Sequence, residues 1–155
     1  MFDKGVINKV KACTVAIGLV EKDGHMPVEI VGTGFLVNSK GYAMTAAHVS
    51  ERCLDLIEAG RARKMSLERA VFFTKRDSAG KLHFYAARIA DRVFRSDMVI
   101  KPKGYAMPDS IDVAVFNIGA KIPLPYLEIK QPSDIELYEE IALSSYPSGL
   151  QTMNW

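Results

Sequence analysis

The feature that most constrains the fold of this sequence is a series of short apolar runs, each closed by a turn signal. Six runs rich in β-branched and aromatic residues are separated by Gly, Pro, Asn, Asp and Ser clusters, and they span residues 12–20, 29–37, 42–46, 71–74, 82–90 and 111–118. Such runs predict β-strands, and a chain of short strands removes its exposed edges by closing into a barrel. We therefore predict an all-β fold with about six antiparallel strands in a small barrel.

One stretch breaks the strand pattern with helical spacing. Four apolar residues recur on one helix face: Val49, Cys53, Leu56 and Ile57. Gly60 stands where a helix stop is expected, so the pattern predicts a short helix after His48. The basic stretch 61–69 that follows is interpreted as a solvated loop, and Cys53 as a buried thiol on the apolar face of the helix.

Composition places the chain among globular proteins. Its 155 residues are 48% hydrophobic and 25% charged, and the mean hydropathy is +0.03. A net charge of +2 is too small to indicate a nucleic acid or an anionic membrane as partner. The apolar run 12–20 is followed by charged residues without a cleavage pattern, so we predict no signal peptide and expect a cytoplasmic protein.

The cysteines and histidines show no metal-ligand spacing. Cys13 and Cys53 allow at most one internal disulfide. His25 lies next to a turn and His83 lies on a predicted strand, and we interpret both as structural. The spacing therefore predicts no metal site.

Two ionisable residues lie in apolar surroundings. His48 follows two alanines at a strand end, and Asp112 is flanked by Ile111 and Val113. A carboxylate in such a setting is costly to bury unless it is paired or hydrogen-bonded. An isolated histidine at a strand end is usually structural, so neither residue indicates a function by itself.

Four segments in a fixed order connect these residues. They are GTGF at 32–35, TAAHV at 45–49, DVAV at 112–115 and SYPSG at 145–149. In this order they resemble the trypsin-like serine peptidases, and most closely the bacterial Deg/HtrA-type peptidase domain, over roughly residues 10–150. The resemblance implies an antiparallel Greek-key barrel of six strands at residues 10–118, the N-terminal barrel of the chymotrypsin fold. Residues 119–155 would form a linker and the first strands, at 126–129 and 140–144, of a second, truncated barrel.

The resemblance also implies roles for the two ionisable residues. His48 would act as the general base that takes the proton of a serine nucleophile, and Asp112 would fix the ring's tautomer and stabilise the imidazolium. Together they would be two thirds of a Ser-His-Asp triad that cleaves a polypeptide substrate. This mechanism needs no cofactor.

The nucleophile of that family is missing from the sequence. It lies in a Gly-x-Ser-Gly-Gly segment, and no such segment occurs in the 155 residues. We interpret the three late serines as turn and strand residues: Ser144, Ser145 and Ser148. The expectation is a serine endopeptidase fragment, inactive alone, whose missing C-terminal barrel supplies the nucleophile and the oxyanion hole. Two alternatives stay open, namely a catalytically inactive trypsin-like binding module and a relative with a cysteine nucleophile.

Overall fold

The computed structural model describes residues 3–89, 91–95 and 112–130. Two helices and seven strands follow one another in this part of the chain: α1 Lys4–Cys13, β1 Thr14–Glu21, β2 Pro27–Leu36, β3 Tyr42–Thr45, α2 Ala47–Ala62, β4 Leu67–Arg76, β5 Leu82–Arg88, β6 Asp91–Arg95 and β7 Ala114–Asn117. Neither helix is long and apolar enough to cross a membrane.

The strands form one antiparallel sheet in the order β5-β4-β1-β2-β3-β7-β6. β1 pairs with β2, and β2 pairs with β3. The chain then passes through α2, and β4 pairs with the other side of β1. The resulting order 4-1-2-3 is that of a Greek key. The predicted all-β class is therefore confirmed.

The sheet curls because its two edge strands are neighbours in sequence. β5 ends at Arg88 and β6 begins at Asp91, so the two strand ends are at most about 11 Å apart. β5 pairs with β4 and β6 pairs with β7, and these two pairs lie at opposite ends of the strand order. Only a sheet that bends back on itself allows this connection, and the result is the half-barrel expected of the chymotrypsin fold.

The core lies inside this curled sheet and beneath α2. Its buried members include Val15, Ile17 and Leu19 of β1, Phe116 of β7 and Cys53 of α2. β1 is buried along both of its faces, as a strand in the middle of the sheet should be. Each large side chain buried here stabilises the fold by roughly 1.5–3 kcal/mol, and α2 is held over the core by the same contacts.

Helix α1 was not predicted by the strand pattern. The side chain of Asp3 caps it by accepting a 2.9 Å hydrogen bond from the backbone of Gly5, and Thr14 Oγ1 donates to the carbonyl of Val10 at 2.8 Å. The run predicted as a strand at 12–20 therefore begins as the last turn of a helix. Gly5 and the β-branched Val6 weaken the helical signal in a segment of only ten residues.

The predicted short helix after His48 is longer than expected and begins before that residue. α2 starts at Ala47 and continues past Gly60 to Ala62. Gly60 does not end the helix; a Cβ atom there would lie 2.8 Å from Leu67 Cδ1, so the glycine permits close packing on β4. The predicted solvated loop at 61–69 was correct for Arg63 and Lys64, which are exposed in a turn, and wrong for Arg69, which lies within β4 and is only partly exposed.

The segment after β7 runs without regular secondary structure to residue 130. The prediction of a strand at 126–129 was wrong, since these residues lie in no strand. Backbone amides of Leu124 and Leu127 donate to the carbonyls of Ser39 and Leu36 at 3.1 and 2.8 Å. Pro123 and Pro125 cannot donate such bonds, which prevents a continuous ladder. The predicted strand at 140–144 lies outside the described residues.

Candidate active site

The N-terminus of α2 positions His48. β3 ends at Thr45, whose hydroxyl donates a 2.7 Å hydrogen bond to the carbonyl of Thr33 on β2. The next residue, Ala46, is the N-cap of α2 and has no side chain that could cap the helix. His48 is therefore in the first helical turn, where backbone amides have no partner within the helix.

Asp112 supplies the missing cap from a distant part of the chain. Its Oδ1 accepts a 2.9 Å hydrogen bond from the backbone amide of His48. Its Oδ2 lies 2.5 Å from Nδ1 of the His48 ring. The sequence predicted Asp112 on a strand, whereas it lies two residues before β7 begins at Ala114. One carboxylate thus holds both the backbone and the side chain of His48, 64 residues away.

The charge of Asp112 follows from these contacts. Burial alone would raise the pKa of this carboxyl, but the hydrogen bonds donated by the backbone and ring of His48 and by the backbone of Ala47 outweigh it. They hold the pKa below its ordinary value of 3.8. Asp112 is therefore ionised at neutral pH and can only accept hydrogen bonds. The positive end of the α2 dipole favours the same charged form.

The ionised carboxylate determines the proton position on His48. Because Asp112 cannot donate, Nδ1 must carry the hydrogen of the bond between them. In the neutral ring Nε2 is then an acceptor, and it makes no hydrogen bond to any described residue. The His48 side chain is 54% exposed and that of Asp112 27%. The arrangement can therefore accept a proton at Nε2 while the ring is held next to a fixed negative charge.

Two glycines of the GTGF segment allow α2 and β3 to approach β2. A Cβ atom at Gly32 would lie 2.6 Å from Cγ2 of Val49, the residue after His48. A Cβ atom at Gly34 would lie 2.8 Å from the carbonyl oxygen of Met44 on β3. The GTGF and TAAHV segments are therefore parts of one packing unit, which explains why they occur together.

The other residues singled out in the sequence lie away from this pair. His83 Nε2 lies 2.8 Å from Oδ2 of Asp77 at the β4–β5 hairpin, and His25 is exposed. Cys13 and Cys53 are both buried free thiols, as interpreted for Cys53. Within residues 3–89, 91–95 and 112–130, no three His, Cys, Asp or Glu side chains cluster as a metal site would require.

The late serines and the segment at 145–149 lie outside the described residues. The sequence pattern did not indicate Arg69, whose guanidinium carbon lies 5.4 Å from the ring centroid of Phe116. A basic residue in a stretch with weak strand periodicity gave no signal of this contact, because Phe116 is 47 positions away in the chain.

Comparison with known proteins agrees with the fold. A family model described as the trypsin-like peptidase domain matches residues 32–154, which include GTGF, His48 and Asp112. No curated protein matches the chain. The match covers well over half of the chain, and it agrees with the curled antiparallel sheet. The chain belongs to the trypsin-like peptidase family.

Proposed function

We propose that this chain carries the general base and the orienting acid of a serine endopeptidase. The observation that supports this most strongly is the bond between Nδ1 of His48 and Asp112, which leaves Nε2 as the acceptor on a side chain that is 54% exposed. A serine hydroxyl at Nε2 would give its proton to the ring as its oxygen attacks the scissile carbonyl of a polypeptide. His48 would then return that proton to the leaving amine, while Asp112 stabilises the imidazolium without taking the proton.

The nucleophile in this proposal comes from outside the 155 residues. They contain no Gly-x-Ser-Gly-Gly segment, and that segment also supplies the backbone N–H groups of an oxyanion hole. We therefore propose that a second barrel, with residues 119–130 in its linker and residues 140–144 as its first strand, completes the site. The finer assignment to the Deg/HtrA-type group is part of this proposal and rests on the order of the four sequence segments.

The test is labelling with a fluorophosphonate probe, which reacts with activated serines. The probe is applied to the product of the whole reading frame, and to the 155 residues alone. We expect one labelled serine in a Gly-x-Ser-Gly-Gly segment of the former, and no label on the latter. Asp112→Asn should slow labelling by about 10⁴-fold, and His48→Ala should abolish it.

His25→Ala is the matched control, because it removes an exposed histidine that has no part in the pair. It should leave the labelling rate unchanged. Failure of a folded, whole protein to label, or equal labelling of His48→Ala and wild type, would contradict the proposal.

A second candidate is a catalytically inactive binding module of the same fold. The absence of the nucleophile segment is the observation that favours it. A reading frame without any Gly-x-Ser-Gly-Gly segment, together with binding of a polypeptide that His48→Ala leaves unchanged, would favour the module over the enzyme. A thiol-specific label on a cysteine in place of the serine would instead support a cysteine nucleophile.

A further inference from the structure

Arg69 extends from β4 into the space between the sheet and α2. It pairs with Leu19 of β1 and shares a strand face with Leu67 and Val71, since side chains alternate along a strand. Leu67 and Val71 both pack in the main core. An arginine on this face is therefore directed toward the core beneath α2, where a charged side chain needs specific contacts.

The Arg69 side chain contacts the helix that carries His48 and the strand that follows Asp112. On α2, Nη1 lies 3.5 Å from the hydroxyl oxygen of Ser50. On β7, the guanidinium carbon lies 5.4 Å from the ring centroid of Phe116, within the range of a cation–π interaction. Ser50 and Phe116 are 1% and 0% exposed, so both contacts are made to buried partners.

A third observation places the same charge against α2. Burial raises the pKa of the Cys53 thiol to about 12, and the positive charge of Arg69 partly opposes this rise. Cys53 lies three residues after Ser50, on the same helix face. The charge of Arg69 is therefore close to the face of α2 that carries Ser50 and Cys53.

These contacts connect the two halves of the proposed site. Ser50 follows His48 by two residues, and Phe116 follows Asp112 by four. We propose that Arg69 is a positioning residue that holds α2 against β7 and so keeps His48 hydrogen-bonded to Asp112. The inference rests on the proposed function for its significance in catalysis.

The test is NMR-detected hydrogen exchange of the His48 backbone amide in the 155-residue chain. This amide lies in the first helical turn and is protected by its bond to Asp112, so its exchange rate reports the pairing. Arg69→Met keeps a long side chain but removes the guanidinium group with its hydrogen-bond donors and its charge. We expect it to raise the exchange rate by about tenfold relative to amides of the β2–β3 ladder.

Three further variants make the result specific. Arg88→Met is the matched control, because Arg88 donates to Glu68 and to carbonyls of the β1–β2 turn. This variant should leave unchanged the ratio of the His48 amide exchange rate to that of the β2–β3 amides. Arg69→Lys keeps the positive charge without the planar guanidinium group, and it should give an exchange rate between those of wild type and Arg69→Met. If Arg69→Met does not fold, Ser50→Ala, which removes one hydroxyl, should change the ratio in the same direction by a smaller factor.

Asp112→Ala, which removes the acceptor of the His48 amide, separates this inference from the proposed function. If it leaves the His48 amide unaffected, the pair itself is wrong, and the proposed function fails with it. If Asp112→Ala accelerates exchange while Arg69→Met, or Ser50→Ala in its place, leaves the ratio at the wild-type value, the pair holds and the role of Arg69 is refuted.

Discussion

Replacement of Gly32 by alanine tests the packing that holds the histidine helix on the sheet. Gly32 is not in the left-handed region, so its backbone suits alanine, and without a clash the change should stabilise the fold by about 0.4–1 kcal/mol. The structure instead predicts that Gly32→Ala destabilises the fold. The new Cβ atom would lie 2.6 and 2.9 Å from the two γ-methyl carbons of Val49, well inside van der Waals contact.

Val49 cannot relieve this clash by rotating. It is 7% exposed, and a valine in a helix is restricted to one main rotamer. The first turn of α2 must move instead, and His48 moves with it. Overpacking of this kind costs about 1–3 kcal/mol, which for a chain of this size lowers Tm by about 2–4 °C for each kcal/mol.

The assay is urea denaturation of four proteins: wild type, Gly32→Ala, Val49→Ala and the double variant. Removing both γ-methyl groups of Val49 eliminates the clash, so Gly32→Ala should become neutral or stabilising in the Val49→Ala background. The coupling between the two sites should be at least about 1 kcal/mol. Additive losses, or a stabilising single Gly32→Ala, would refute the packing argument.

Three other predictions follow from contacts elsewhere in the chain. Gly18→Ala should cost more stability than Gly32→Ala, because its Cβ would lie 2.1 Å from the backbone oxygen of Glu29, and equal urea midpoints would contradict this. The pKa of Asp112 is lower in the folded chain than its ordinary value of 3.8. The stability that this carboxylate contributes is therefore fully present above pH 3.8 and is lost as the pH falls through the folded-state pKa. The stability difference between wild type and Asp112→Asn should therefore shrink in acid titrations below pH 4, and a constant difference would oppose it. With its pKa raised to about 12 by burial, Cys53 should react with a thiol reagent at pH 8 only after denaturation, and rapid labelling of the folded chain would show otherwise.

The parts of the fold that sequence could predict are those encoded by local patterns. Alternation and turn residues indicated the strands, whereas the role of His48 was predicted through the resemblance that the TAAHV segment carries. α1 escaped prediction because Gly5 and β-branched residues weaken a short helix. The role of Arg69 escaped because its partner, Phe116, is brought near only when β7 joins β3. Asp112 was predicted through resemblance, whereas its capping of α2 is visible only in three dimensions.

The central claim is that Asp112 holds His48 with its proton on Nδ1 and a free acceptor at Nε2. The most direct measurement is ¹⁵N NMR spectroscopy of the His48 ring in the 155-residue chain, at a pH where the ring is neutral. We expect a protonated Nδ1 and an unprotonated Nε2, with this preference reduced in Asp112→Asn. A neutral ring protonated at Nε2 in the wild type would contradict the account.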